Sequence, residues 1–291
     1  GNASSQSKSE TPQDTIKAIK MPAIPQMMTA PEQRADFLAK HYWDNVNFAD
    51  TNYIHHPEVT EQAWADYCDL LNHVPLETAQ QAMRNVIDRT NVDKKVFTYI
   101  TDLADKYLYD PNSPMRNEEF YIPVLEAMIA SPVLNETEKI RPQARLKLAQ
   151  KNRIGTKALN FTYTLASGAQ GSLYQLKAEY LLLFINNPGC QACTETIEGL
   201  KNAPIINQLL QEKKLVLLSI YPDEELDEWK KHLSEFPNEW INGYDKKFTI
   251  KEEQVYDLKA IPTLYLLDKD KTVLLKDATA PAIEAYLMQH Q

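Results

Sequence analysis

The chain is short of cysteine, glycine and long apolar runs, and each shortage excludes something. Its 291 residues include three cysteines: Cys68, Cys190 and Cys193. That is too few for a disulfide-stapled scaffold, so stability has to come from apolar cores. Seven glycines leave few tight turns and fit a helix-rich protein. The longest apolar run, residues 180–185, is far too short to cross a bilayer as a helix. Positive charge is in the minority. There are 31 Lys and Arg against 40 Asp and Glu, a net charge of −9 with no basic run. Nucleic acid is therefore not an expected partner. No signal peptide is visible, and the chain begins with Gly rather than Met, as a processed or trimmed form would.

Length and a hydrophobic content of 43% allow about two domains with ordinary cores. Residues 1–30 read as a disordered tether. The first 13 are mostly Ser, Gln, Lys, Asn and Thr, and Pro22, Pro25 and Pro31 break any helix. Such a segment buries too little apolar surface to offset the entropy of ordering it. A small apolar patch at Ile24, Met27 and Met28 is placed to dock on the body.

Residues 31–152 carry the helical period. The first helix starts at Pro31 and spaces Phe37, Leu38, Tyr42 and Val46 on one face. Thr60-Glu61-Gln62-Ala63 opens a second, with Trp64, Tyr67, Leu70 and Leu71 as its core face. Further helices are expected over 76–88, 92–108, 117–130 and 135–151. Pro123 argues against the fifth, because an interior proline removes a helix hydrogen bond. An all-helical antiparallel bundle follows, with no catalytic constellation. Cys68 beside Leu70 and Leu71 reads as a small buried hydrophobe, and His55-His56 as a solvated loop.

From 153 to 291 the reading is α/β. Phe161 to Leu165 alternates like a strand, 167–171 is a turn, and 172–176 is a second short strand. Buried strands follow at 180–185 and 215–221, with a helical stretch over 205–210 between them. Helices are expected at 224–236 and 249–258, separated by an Asn242-Gly243 turn. A hairpin pairs 263–267 with 272–276, and 281–289 is the last helix. Without its leading hairpin this is βαβ–α–ββα, with the first two core strands parallel.

The run Leu181 to Ile185 ends in Asn186-Asn187-Pro188-Gly189, and Cys190-Gln191-Ala192-Cys193 opens a helix. Residues i and i+3 share a face of a helical turn, so their Cα atoms lie about 5–6 Å apart, within disulfide range. Cys190 at the helix N-terminus would sit among unpaired N–H groups that favour a thiolate. Cys193, one turn in, would be the resolving thiol. Two blander readings stand beside this one. Half a zinc site needs a second ligand pair, and none of His41, His55, His56, His73, His232 or His290 supplies one. An inert structural pair is the other.

The apolar strand ending at Phe184, the C-x-x-C and Ala260-Ile261-Pro262-Thr263 before another apolar strand together resemble the thioredoxin superfamily over about residues 158–291. With the leading hairpin, the C-terminal part is similar to TlpA/ResA-like envelope reductases. The helical part resembles a domain of unknown function found in envelope lipoproteins of Gram-negative bacteria. The resemblance implies a thiol–disulfide oxidoreductase that needs no bound cofactor. Cys190 would be the nucleophile and Cys193 the resolving thiol. Pro262 would be cis, and with Ile261, Pro188 and Gly189 it would face the substrate. Protein disulfides would be the substrates and a thiol protein the electron donor. The implied location is the periplasm or cell envelope, with a membrane tether through a processed N-terminus not present in this chain.

The sequence also departs from the pattern. Gly189 stands where the family has Trp, and the loop before Cys190 is one residue longer. Leu183 replaces the buried acid that shuttles the proton of the resolving thiol. Glu195 and Glu198 are near, and both read as a solvated helix face. Gln191-Ala192 leaves the redox direction open. A non-catalytic binding module, with the bundle as its recognition part, is the alternative reading.

Overall fold

A computed structural model describes residues 18–291, so the reading of 1–13 as a polar tail lies outside the described residues. The chain divides into two compact units, one up to Leu146 and one from Lys147 onward.

The first unit is helical. It contains α1 (Pro31–His41), α2 (Pro57–Leu70), α3 (Leu76–Arg89), α4 (Lys94–Ala104) and α5 (Glu118–Ala130), and α6 (Glu136–Ala149) begins in it. Its core holds Trp64, Tyr67, Cys68, Met83, Ile87 and Phe97. These lie on the faces that the helical period marks. Cys68 is 1% exposed, as expected of a small hydrophobe. Residues 18–30 form no helix or strand, and Ile19 packs on the core while Met27 stays 92% exposed. α2 starts three residues earlier than the expected Thr60, because Pro57 occupies its first turn, where a missing N–H costs nothing. Thr60 is buried instead, and its hydroxyl donates to the Tyr53 carbonyl at 2.7 Å.

Pro123 does sit inside α5, and the structure shows how. Its missing N–H would leave the Glu119 carbonyl without a partner. The Gln80 side-chain amide donates to that carbonyl at 3.0 Å. The chain after α4 widens into a turn at Asp105–Tyr109, closed from Asp110 N–H to the Asp105 carbonyl at 2.9 Å.

The second unit is built on a seven-stranded sheet in the order β2-β1-β5-β4-β3-β6-β7. The strands are β1 (Thr162–Leu165), β2 (Gln170–Ser172), β3 (Tyr180–Ile185), β4 (Leu215–Tyr221), β5 (Ile241–Tyr244), β6 (Thr263–Asp268) and β7 (Val273–Leu275). The helices are α7 (Gln191–Asn202), α8 (Pro204–Gln211), α9 (Leu226–His232), α10 (Thr249–Glu252) and α11 (Ala280–Gln289). β3 pairs in parallel with β4 and antiparallel with β6.

The continuous apolar run of β3 has a simple cause. Successive strand residues face opposite sides, and both sides are covered. Leu182 and Phe184 pack with Ile197, Leu200 and Ile206 on one face. Leu181, Leu183 and Ile185 pack with Tyr256, Tyr265 and Phe161 on the other. Asn152 ties the start of this unit down, donating to the Val255 carbonyl at 2.8 Å and accepting from Leu159 N–H at 2.7 Å.

Three expectations need correction. Asn242-Gly243 is not a turn but lies within β5, between β1 and β4. A side chain at Gly243 would meet the Tyr163 ring at 3.1 Å and the Thr164 carbonyl at 3.3 Å, so glycine serves close strand packing there. The helix expected over 249–258 ends at Glu252, since Gln254 takes a left-handed φ of 50°. The strand expected over 172–176 is shorter and earlier. Ser172 and Gln175 form a reciprocal capping box that turns the chain into a short helical turn.

Candidate active site

Strand register decides which loops meet. Ile185 at the end of β3 lies opposite Thr263 at the start of β6 and Ile220 near the end of β4. Residues 186–193, 260–262 and 222–225 therefore leave the sheet at one edge. That edge, at the carboxyl ends of the parallel strands, is where open α/β sheets bind ligands.

The chain turns there through Gly189, at φ 94°, with open space around its α-carbon. Pro188 before it is buried. Cys190 is the N-cap of α7, in extended backbone at φ −82°, ψ 129°. Its thiol donates to the Ile261 carbonyl at 3.9 Å. The Ile261–Pro262 peptide is cis. Cys193 is in the first turn of α7 and is 0% exposed. Both thiols are free in this structure. The fold thus brings Cys190, Cys193 and Ile261 together and sets Pro188, Gly189 and Pro262 in the segments that carry them.

The two thiols are driven apart electrostatically. The backbone N–H of Cys193 is the largest influence on Cys190 and lowers its pKa. The Cys193 thiol and the Ala192 N–H act the same way, against partial burial and the Glu195 charge. Burial pushes the Cys193 thiol up to about 12, and the neighbouring Cys190 sulfur adds to the rise. The backbone N–H of Asn187 opposes the rise. Leu183 is fully buried among apolar side chains, and Glu195 and Glu198 lie on the exposed face of α7, so none of the three serves Cys193 as a base.

This opposition has a measurable consequence in the reduced protein. An unfolded chain ionises Cys193 near its ordinary value of 9.0, the folded one only near 12. Between those values the unfolded state binds fewer protons, so stability falls as pH rises, by at most about 1.4 kcal/mol per pH unit. Buried Cys68, also raised, adds the same sign. Cys190 has the opposite sign: its contribution is lost as pH falls through its lowered value. Urea midpoints of the reduced protein should therefore drop between about pH 9 and 10, where buried tyrosines with raised pKa values add to the fall. Cys193→Ala should flatten that slope. An unchanged slope in this variant would remove the buried-thiol account.

The sequence reading missed a polar network beside the thiols. Asn186 is buried and donates to Ser219 Oγ at 2.8 Å. Asn187 Nδ2 donates to Asp223 Oδ2 at 2.8 Å, and Lys251 Nζ donates to Asp223 Oδ1 at 2.9 Å. The signal was available. Asn187 and Asp223 each stand two residues past the end of an adjacent parallel strand.

A family profile described as a domain of unknown function, DUF5106, matches residues 1–152, and a thioredoxin-like profile matches residues 178–273. The crystal structure of a thioredoxin-like protein from Bacteroides caccae is 84% identical, with a TM-score of 0.93, over 95% of this chain and 100% of that one. The chain belongs to the thioredoxin-like proteins. The C-terminal domain of an uncharacterized Bacteroides fragilis protein is 69% identical over 47% of this chain and 98% of that one, with a TM-score of 0.47. A domain of a possible thiol-disulfide isomerase from Cytophaga hutchinsonii is 24% identical over 48% of this chain and 95% of that one, with a TM-score of 0.41. No curated protein matches the chain. The C-terminal unit is thus a thioredoxin-like unit preceded by a helical one, as the motif reading expects.

Proposed function

We propose that the chain is a thiol–disulfide oxidoreductase of the cell envelope that reduces protein disulfides. One observation carries the reading. The thiol whose pKa is lowered is the accessible one, at a helix N-terminus, and it touches a buried partner thiol whose pKa is raised. A nucleophile and a resolving thiol need that difference.

The Cys190 thiolate attacks one sulfur of a substrate disulfide. A Cys190–substrate bond forms and the first substrate thiolate leaves. Cys193, once deprotonated, attacks Cys190 Sγ, closes the Cys190–Cys193 disulfide and releases the second substrate thiolate. Two electrons pass to the substrate, and its two thiolates take up two protons. A partner thiol protein then returns two electrons to the pair. The Ile261 carbonyl, Pro262 and Gly189 form the wall that the substrate meets, with Pro188 packed behind it.

The test is turnover of a protein disulfide with a dithiol donor, together with the reduction potential of the pair. A reductant should lie nearer about −270 mV than about −120 mV. A potential near the upper value would reverse the direction, and no turnover at all would favour a binding module. An envelope role further requires the protein to be found in the envelope fraction of its source cells.

A further inference from the structure

The exchange just described leaves one step without a helper. Cys193 must become a thiolate to attack Cys190, yet it is fully buried and Leu183 offers it no base. The loop between β3 and Cys190 is a polar neighbour whose Asn187 N–H bears on the Cys193 thiol, and it is held at three points. Asn186 N–H donates to the Ile220 carbonyl at 3.0 Å, and its side chain donates to Ser219. The Asn187 carbonyl accepts from Cys190 N–H at 3.3 Å. The Asn187 side chain is gripped by Asp223, whose other oxygen is paired with Lys251. This last tether comes from the end of β4 and from α10, outside the motif that carries the thiols.

We propose that Asp223 and Lys251 are positioning residues for disulfide exchange: through the Asn187 side chain they fix the loop so that the Asn187 backbone N–H faces the Cys193 sulfur as it takes on negative charge. The inference rests on the dithiol reading above. A backbone N–H aimed at a forming thiolate stabilises it without supplying or removing a proton. The proton leaves to the departing substrate thiolate or to water. The charge of Asp223 matters because a hydrogen bond to a charged group is stronger and orients its donor more firmly. Lys251, paired with the other carboxylate oxygen at 2.9 Å, holds Asp223 directed at Asn187. The N–H groups that favour the Cys190 thiolate belong to Ala192 and Cys193 in α7, not to this loop, so its attack should feel the loss of the grip least.

The experiment uses the full reduced chain and a symmetrical chromogenic aryl disulfide. Attack by Cys190 releases one coloured thiolate, and resolution by Cys193 releases the second. Asp223→Ala should leave the first phase unchanged and slow the second about tenfold, the loss expected from a charge-assisted hydrogen bond partly transmitted. Asn187→Ala should slow it equally, and the double variant no further, because both act through one contact. Asp223→Asn should recover part of the rate, since an amide oxygen still accepts from Asn187. An unchanged second phase in Asp223→Ala overturns the inference. So does a first phase slowed as much as the second, which would mean that the loop has simply collapsed. A wild-type chain that stops after one coloured equivalent overturns the dithiol reading itself, while an intact biphasic release with insensitive variants overturns only the positioning role.

Discussion

Cys190→Ser should abolish disulfide exchange, and Cys193→Ser should trap it halfway. The two thiols differ in every property that matters for order of attack. Cys190 is partly accessible and its thiolate is favoured by N–H groups of the first turn of α7. Cys193 is 0% exposed and its thiolate is opposed by burial. The thiolate is the nucleophile, so serine at 190 removes the attacking group and no mixed disulfide can form. Serine at 193 leaves the attack intact and removes the group that breaks the mixed disulfide. That variant should accumulate covalent adducts with protein substrates, visible by mass spectrometry after acid quenching. Alkylation of the reduced wild type should label Cys190 first, then Cys193, with Cys68 last. Adducts on Cys193 in the Cys190→Ser variant, formed at the wild-type rate, would reverse the assigned roles.

Trp64→Ala should cost the helical unit about 3–5 kcal/mol, the range for deleting a large buried aromatic. Trp64 is 0% exposed and stands among Trp43 and Tyr67, with ring centres 6.1 and 5.7 Å away. Tyr42 joins the group by its own contacts with Trp43 and Tyr67 and by a hydrogen bond from its hydroxyl to the Ala63 carbonyl. Four large rings pack together here, so removing one leaves a gap that its rigid neighbours fill poorly. The loss should appear as an earlier urea transition in far-ultraviolet circular dichroism. Trp229 and Trp240 belong to the thioredoxin-like unit and report on it separately. A shift worth under about 1 kcal/mol would mean that the core closes around the gap.

The sequence made some of this legible and hid the rest for reasons that can be named. Core helices and strands were readable because burial imposes a period, 3.6 on α3 and two covered faces on β3. The thiols were readable because their spacing is local. β5 was hidden because Asn-Gly is the strongest short hairpin signal, and at Asn242-Gly243 the glycine answers instead to the Tyr163 ring from another strand. The break after α10 was hidden because Gln254 adopts a left-handed φ with no glycine to announce it. Asn187 and Asp223, 36 residues apart, meet only through the register of β3 against β4. Pro123 was readable as a defect but not as a tolerated one, since Gln80 answers it from another helix.

The order of the sheet has a further consequence, for solubility. Its two outermost strands, β2 and β7, are three residues each, while β4 and β3 inside it run to seven and six. A short rim offers a passing chain little backbone to pair with, whereas a long bare one invites stacking into aggregates. The thioredoxin-like profile spans only 178–273 and so omits β1 and β2. A protein begun at residue 178 would keep both cysteines, β7 and α11 and lose the strands that cover one flank, exposing the unpaired side of β5. The leading hairpin is thus a guard against self-association, and a trimmed version should precipitate at concentrations the whole chain tolerates.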